Sequence, residues 1–321
     1  MQIFESLIGN LMVPTILFFV LGLLAAVVRS DLSIPEGAAK FMSLYLLLAI
    51  GFKGGHSLAE NGLNAEVFTA LAAGLVLSFL IPFIAYALLR GMTRLNALNA
   101  AAVAGHYGSI SIVTFVAASS LLDLTGIASD GYMVAVAATM EVPAILSALW
   151  IAHRFGRDGA AGSVPLKELF ANGSIVLLTG AFVIGLLTQD KGMEMIAPFV
   201  VTPFTGILCL FLLDMGLSAG RSLLRNRHLL SAGLFAFGIM MPMIGAVLAL
   251  GLGAVIGLQT GSLFLLMVLA ASASYIAVPA AMKIALPQAE SGIYLTLSLG
   301  VTFPFNITVG LPLYLWLAGL L

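Results

Sequence analysis

The sequence predicts an all-α polytopic membrane protein, with ten transmembrane helices arranged as a five-plus-five inverted repeat in which helices 4 and 9 are broken. Three observations predict it. Apolar runs long enough to cross a bilayer recur ten times, the cations fall almost entirely on one side of them, and the two halves share positions at a fixed offset. Composition sets the frame: 61% of residues are hydrophobic, 8% are charged and mean hydropathy is +1.14, whereas soluble domains carry roughly 25% charge. So little polar surface cannot cover a soluble particle.

A helix rises 1.5 Å per residue, so about 20 apolar residues span the roughly 30 Å hydrocarbon slab. Runs of that length begin near residues 8, 37, 66, 97, 131, 170, 195, 229, 261 and 291. They lack the alternation of membrane β-strands, and ten barrel strands would occupy only about 100 residues. MQIFES precedes the first run with no basic n-region and no cleavage-like site, so that run is expected to stay as helix 1. The lone Cys209 rules out a disulfide framework, and a net charge of -1 without a basic block gives no reason to invoke nucleic acid.

Orientation follows from the cations. With the N-terminus outside, the inner connections hold Arg29, Lys40, Arg90, Arg94, Arg154, Arg157, Lys167, Arg221, Arg225, Arg227 and Lys283, eleven of the thirteen. The outer connections hold only Lys191, and Lys53 lies within helix 2. Cytoplasmic loops retain Lys and Arg, so both termini are expected outside an inner (plasma) membrane. Glu60, Glu66, Asp123, Asp130, Asp190 and Glu194 fall in the outer connections.

The longest hydrophilic stretch, HRFGRDGAAGSVPLKEL at 153–169, divides the chain into a first five-helix repeat at 1–153, a cytoplasmic connection at 154–169 and a second repeat at 170–321. Five is odd, so the second half enters the membrane inverted. An offset of 165 pairs Gly51 with Gly216, Gly55 with Gly220, Ser109 with Ser274, Val113 with Val278 and Glu141 with Asn306. Pro82 and Pro242 need a different offset.

Two segments in corresponding positions are poor continuous helices. AVAGHYGSISIVTF at 102–115 sets Gly and Ser around His106 and Tyr107, and LAASASYIAVPAAM at 269–282 has Ser272, Ser274 and then Pro279. Unsatisfied backbone in hydrocarbon costs several kcal/mol, so breaks persist only where protein or water meets the freed groups. Paired broken helices therefore point to a transporter's substrate site, with half-helix N-termini suited to a small anion and exposed carbonyls to a cation such as Na⁺. The competing reading is that Gly and Ser merely let helices pack closely.

Ionisable residues at bilayer depth cost at least about 2.5 kcal/mol and need a partner or water. Lys53 and Asp214 fall in matching helices 2 and 7, so a structural ion pair between them is expected. Glu141 precedes Pro143, and its mate Asn306 stands near Thr302 and Pro304; these three polar residues are expected to line the site as Na⁺ ligands. His106 reads as a hydrogen-bonded packing residue. His56, His153 and His228 lie near helix ends, with no spacing that would bind a metal. A hydrolase would need an oriented third group beside Ser109 and His106, and none is visible, so no enzyme and no cofactor is expected.

At these residues the chain resembles a known family. SIPEGAAKFMSLYLLLAIGFKGG at 33–55, GHYGSISIVTFVAA at 105–118 and YLTLSLGVTFPFNITVGLPLYLWLA at 294–318 are similar to the SbtA-type sodium-dependent bicarbonate transporter family, best known from cyanobacteria. The resemblance implies a homotrimer, with helices 1, 2, 6 and 7 as a gate or scaffold and helices 3–5 and 8–10 as a core. It implies bicarbonate and Na⁺ bound where broken helices 4 and 9 cross, with Gly108, Ser109, Ile110, Ser111, Ser272, Ala273 and Ser274 on the bicarbonate. It also implies a cytoplasmic PII-like regulator, although the 153–169 connection is shorter than in cyanobacterial members. The alternative is a Na⁺/H⁺ exchanger or a Na⁺-coupled carrier of another small organic or inorganic anion. An exchanger would place acidic residues at the crossing itself, where this chain has Ser and Gly.

Overall fold

The computed structural model describes residues 13–62, 65–155 and 173–321, and all regular structure among them is helical. In chain order the elements are α1 (Pro14–Val27), α2 (Glu36–Asn61), α3 (Ala65–Met92), α4a (Ala97–Gly108), α4b (Ile112–Thr125), α5a (Met133–Thr139), α5b (Glu141–Phe155), α6 (Gly173–Val200), α7 (Phe204–Asn226), α8 (Ala232–Val255), α9a (Thr260–Ala271), α9b (Ala277–Ala285) and α10 (Ser291–Ala318). By length and composition, seven described stretches suffice to cross a membrane: α2, α3, α4a with α4b, α5a with α5b, α7, α8 and α10. α1 and α9a are shorter apolar helices. The expected start of helix 1 near residue 8 lies outside the described residues. So does the connection beyond Phe155, on which an inner-face partner would bear.

Glycine decides which helices approach most closely. On α2, Gly51 and Gly55 face the α6 backbone at Leu178 and Phe182; on α7, Gly216 and Gly220 face α1 from Phe19 to Ala26. A Cβ at any of the four would overlap the neighbouring helix, so only glycine lets these backbones meet. These contacts make α2 with α6 and α1 with α7 the most extensive helix pairings. The remaining elements form a second group, in which α4a packs between α3 and α5b while α9a packs against α8 and α10.

Proline shapes this second group. Pro82 and Pro242 interrupt the ladders of α3 and α8 at mid-helix. Pro304 and Pro312 each remove a donor in α10, whose ladder slips to π spacing over Ser298–Thr302 and Asn306–Gly310. Helix 5 divides at Met140, whose carbonyl is taken by the Ser78 hydroxyl of α3, just before Glu141 and Pro143.

Helix 7 begins at Phe204, later than the position near 195 expected from hydropathy. α6 runs on through a kink at Gln189 (φ 51°, ψ -145°) as far as Val200, and turn residues ending at Pro203 precede α7. Asp190, Lys191 and Glu194 therefore sit on a helical arm instead of in a loop.

Candidate functional site

The two interrupted helices end in the same way. After α4a, Ser109 takes extended backbone (φ -88°, ψ 174°); after α9a, Ser272 does the same (φ -90°, ψ 167°). Ser111 then N-caps α4b, its hydroxyl accepting from the Thr114 N–H at 3.3 Å. Pro279 falls in the first turn of α9b, where a missing N–H leaves no carbonyl unserved.

Short polar bonds join the breaks to each other. The Ser111 N–H donates to Ser272 Oγ at 2.8 Å, Ser272 Oγ donates to the Leu269 carbonyl at 2.9 Å, and the Ser274 N–H donates to the His106 carbonyl at 2.7 Å. Backbone groups freed by each interruption are thus partly satisfied by the other. One break alone would leave them bare.

Each break is also held from behind by the helix that follows it. Ser109 Oγ donates to Glu141 Oε2 at 2.6 Å, while Asn306 Nδ2 donates to the Ala271 carbonyl at 2.8 Å. Tyr314 OH in turn donates to Asn306 Oδ1 at 3.0 Å. Thr302 Oγ1 donates to the Gly238 carbonyl at 2.7 Å and accepts from Tyr107 OH at 2.6 Å. All of these side chains are buried.

A cavity of about 20 Å³ lies where the breaks meet, lined by Ile110, Ser111, Glu141, Ser274 and Tyr275 and closed by Leu47 of α2 and Leu178 of α6. It has room for a single water-sized group. Ile112, the first residue of α4b, and Ile276, the N-cap of α9b, also line it, so two half-helix N-termini open onto it. Positive helix ends favour an anion, and one buried carboxylate beside them favours a cation. Holding both together avoids an unpaired buried charge.

The sequence matches the profile of the Na⁺-dependent bicarbonate transporter superfamily over residues 14–319. The chain belongs to that superfamily. No curated protein matches it significantly. The superfamily is one of transporters, not an enzyme class.

In this superfamily member the expected anion-site residues divide into two layers. Ile110, Ser111 and Ser274 line the cavity, whereas Gly108, Ser109, Ser272 and Ala273 build the buried backbone around it. Among the expected Na⁺ ligands, Glu141 lines the cavity. Thr302 and Asn306 stand behind it, with the bonds just described engaging their polar atoms. His106 packs as expected, Nδ1 donating to the Ala102 carbonyl at 2.6 Å and the ring stacked on Tyr294 at 4.3 Å.

The expected Lys53–Asp214 pair is corrected. Lys53 Nζ lies 3.2 Å from Asp123 Oδ2, near the C-terminal end of α4b, and 5.2 Å from the ring centre of Phe204. Phe204 is the first residue of α7, and Asp214 is ten residues further along that helix, about 15 Å deeper. The long lysine stem carries its charge toward water at the nearer helix end.

Sequence reasoning missed Tyr275, Leu47 and Leu178. Leu47 was findable, because it shares the i, i+4 row of Gly51 and Gly55 that faces α6. Tyr275 carried no signal of its own.

Proposed function

We propose that this protein is a Na⁺/bicarbonate symporter of the inner membrane that works by alternating access, with both ions bound at the junction of α4 and α9. The observation that carries this reading is the junction itself, where a carboxylate, two serine residues and two half-helix N-termini converge; Leu47 and Leu178 close it down to room for one water-sized group, and both ions enter when the helices bearing those residues draw back. Glu141 is the Na⁺ ligand, and Ser111, Ser274 and the nearby N–H groups receive bicarbonate. Thr302 and Asn306 fix the shape of the break. No cofactor is required, because the Na⁺ gradient is the source of energy.

Coupling answers an electrostatic problem. An anion entering a negative-inside cell works against about 2.3 kcal/mol per 100 mV. A co-transported Na⁺ cancels that charge, and each tenfold Na⁺ gradient adds about 1.4 kcal/mol of drive.

Helix pairing supports a division into a gate of α1, α2, α6 and α7 and a core of the other elements, with Leu47 and Leu178 as the gate's face on the site. It also supports the inverted repeat. Gly51 of α2 packs on α6 while its mate Gly216 of α7 packs on α1, the exchange that a two-fold relation between halves produces. On this reading the seven long stretches, α1, α6 and the α9a–α9b pair make ten crossings with both termini outside. The chain assembles as a homotrimer.

Uptake of labelled bicarbonate into vesicles containing the purified protein is expected only with an inward Na⁺ gradient. Equal uptake without Na⁺, or Na⁺-driven proton movement without bicarbonate uptake, would rule the symport reading out. For orientation, in a Cys209→Ser background, a cysteine replacing exposed Asp190 should react with impermeant reagent added outside cells, and one replacing exposed Arg225 should not. The reverse pattern would invert the proposed topology.

A further inference from the structure

A second polar cavity, of about 220 Å³, lies along the same helices that line the central one. On α2 the central cavity touches Leu47, and this one touches Ile50, Lys53 and Ser57. On α4b the sequence is Ile112 below, then Phe115, Ser119 and Asp123. On α5a it is Ala137 and Ala138 below, then Met133 and Val134. The two cavities are therefore stacked. Lys53 is six residues, or about 9 Å, along α2 from Leu47. Between them Ile50, Phe115 and Met133 form an apolar plug, each at most 5% exposed.

The upper cavity is open where the lower one is closed, since the Lys53 and Asp123 side chains are 35% and 64% exposed. Their ion pair bridges two helix groups, α2 on one side and α4b on the other. A carboxylate is a planar group with two oxygens on one carbon. Bicarbonate presents the same face to an ammonium.

We propose that this cavity is the outer port of the transport path and that Lys53 is its docking group, where incoming bicarbonate takes the place now held by the Asp123 carboxylate. Asp123 is then a built-in competitor. It keeps the lysine extended over the mouth and keeps the anion's hold weak, so that the anion can pass inward past Ile50, Phe115 and Met133. The cavity's other acidic side chain, Asp130, accepts from Ser262 Oγ at 2.6 Å. Without Lys53 the port carries only negative charge and repels the substrate.

The inference rests on the symport reading and adds a residue outside the central site. Its test is the bicarbonate KM for uptake into right-side-out vesicles, measured at low and high ionic strength. Lys53→Gln is expected to raise KM about tenfold at low salt, the lower range of electrostatic focusing in a charged cleft. That difference should shrink as salt screens it. Asp123→Asn is expected to lower KM, and Lys53→Arg to restore most of the affinity.

A purely structural salt bridge gives another pattern: Lys53→Gln and Asp123→Asn both reduce the amount of folded protein, with KM unchanged. That result, or equal increases of KM in both variants, would overturn the port. Wild-type vesicles that take up no bicarbonate would overturn the symport reading and the port with it. Wild-type uptake with an unaltered KM in Lys53→Gln overturns the port alone.

Discussion

Gly108→Val is expected to abolish uptake, with most of the protein lost to misfolding. Gly108 is the last residue of α4a, and a Cβ there would run into the Pro82 ring and the Ser78 carbonyl of α3. Neither neighbour can yield, because one is a ring inside a helix and the other is backbone. A β-branched side chain adds two methyl groups to that overlap, and overpacking of this kind costs about 1–3 kcal/mol or more. Displacement of α4a would also pull Ser109 from Glu141 and the His106 carbonyl from Ser274, so that backbone now paired across the two breaks would lie bare in the membrane. Gly108→Ala makes the graded comparison, since it adds only the Cβ. Yield in detergent and bicarbonate uptake per folded molecule should both fall in the order Gly, Ala, Val. A Val variant that folds and transports at the wild-type rate would contradict the packing account of the break.

Much of the site was legible in the sequence because membrane helices tolerate few polar or helix-breaking residues without a reason. Gly108, Ser109 and Ser111, and later Ser272, Ser274 and Pro279, marked interruptions that the structure places at 109–111 and 272–276. Glu141 and Asn306 stood out by the same argument, and each proves to hold the break that precedes it. The junction was not legible. The bond from the Ser111 N–H to Ser272 Oγ joins residues 161 apart, and no local pattern encodes it.

Depth along a helix was also lost. Lys53 and Asp214 fall in matching helices, but the charge on a long side chain sits well away from its Cα, and Asp123 at a helix end was the nearer partner. The bond at the Met140 break was not legible, because the Ser78 hydroxyl that makes it comes from another helix. Hydropathy placed the start of helix 7 too early, because it does not distinguish an apolar crossing from the apolar arm beyond the kink at Gln189.

Glu141→Gln is the second change with a large expected effect. Glutamine keeps an oxygen to accept from Ser109 Oγ but removes the carboxylate that, among the described residues, lines the cavity. A hydrogen bond or ligand contact to a charged group contributes about 1.5–3 kcal/mol, which corresponds to about a 10- to 150-fold loss of Na⁺ affinity. Bicarbonate should weaken with it, because the cation that offsets its charge in the same small space is no longer held.

The direct test of a shared site is calorimetric titration of the purified protein with bicarbonate at several Na⁺ concentrations, and with Na⁺ at several bicarbonate concentrations. Linkage requires each ion to raise the other's affinity by one common factor. For the wild type that factor should be well above one, and for Glu141→Gln it should approach one. Bicarbonate binding to the wild type that does not change with Na⁺, or coupling that survives intact in Glu141→Gln, would contradict the placement of both ions at the junction of α4 and α9.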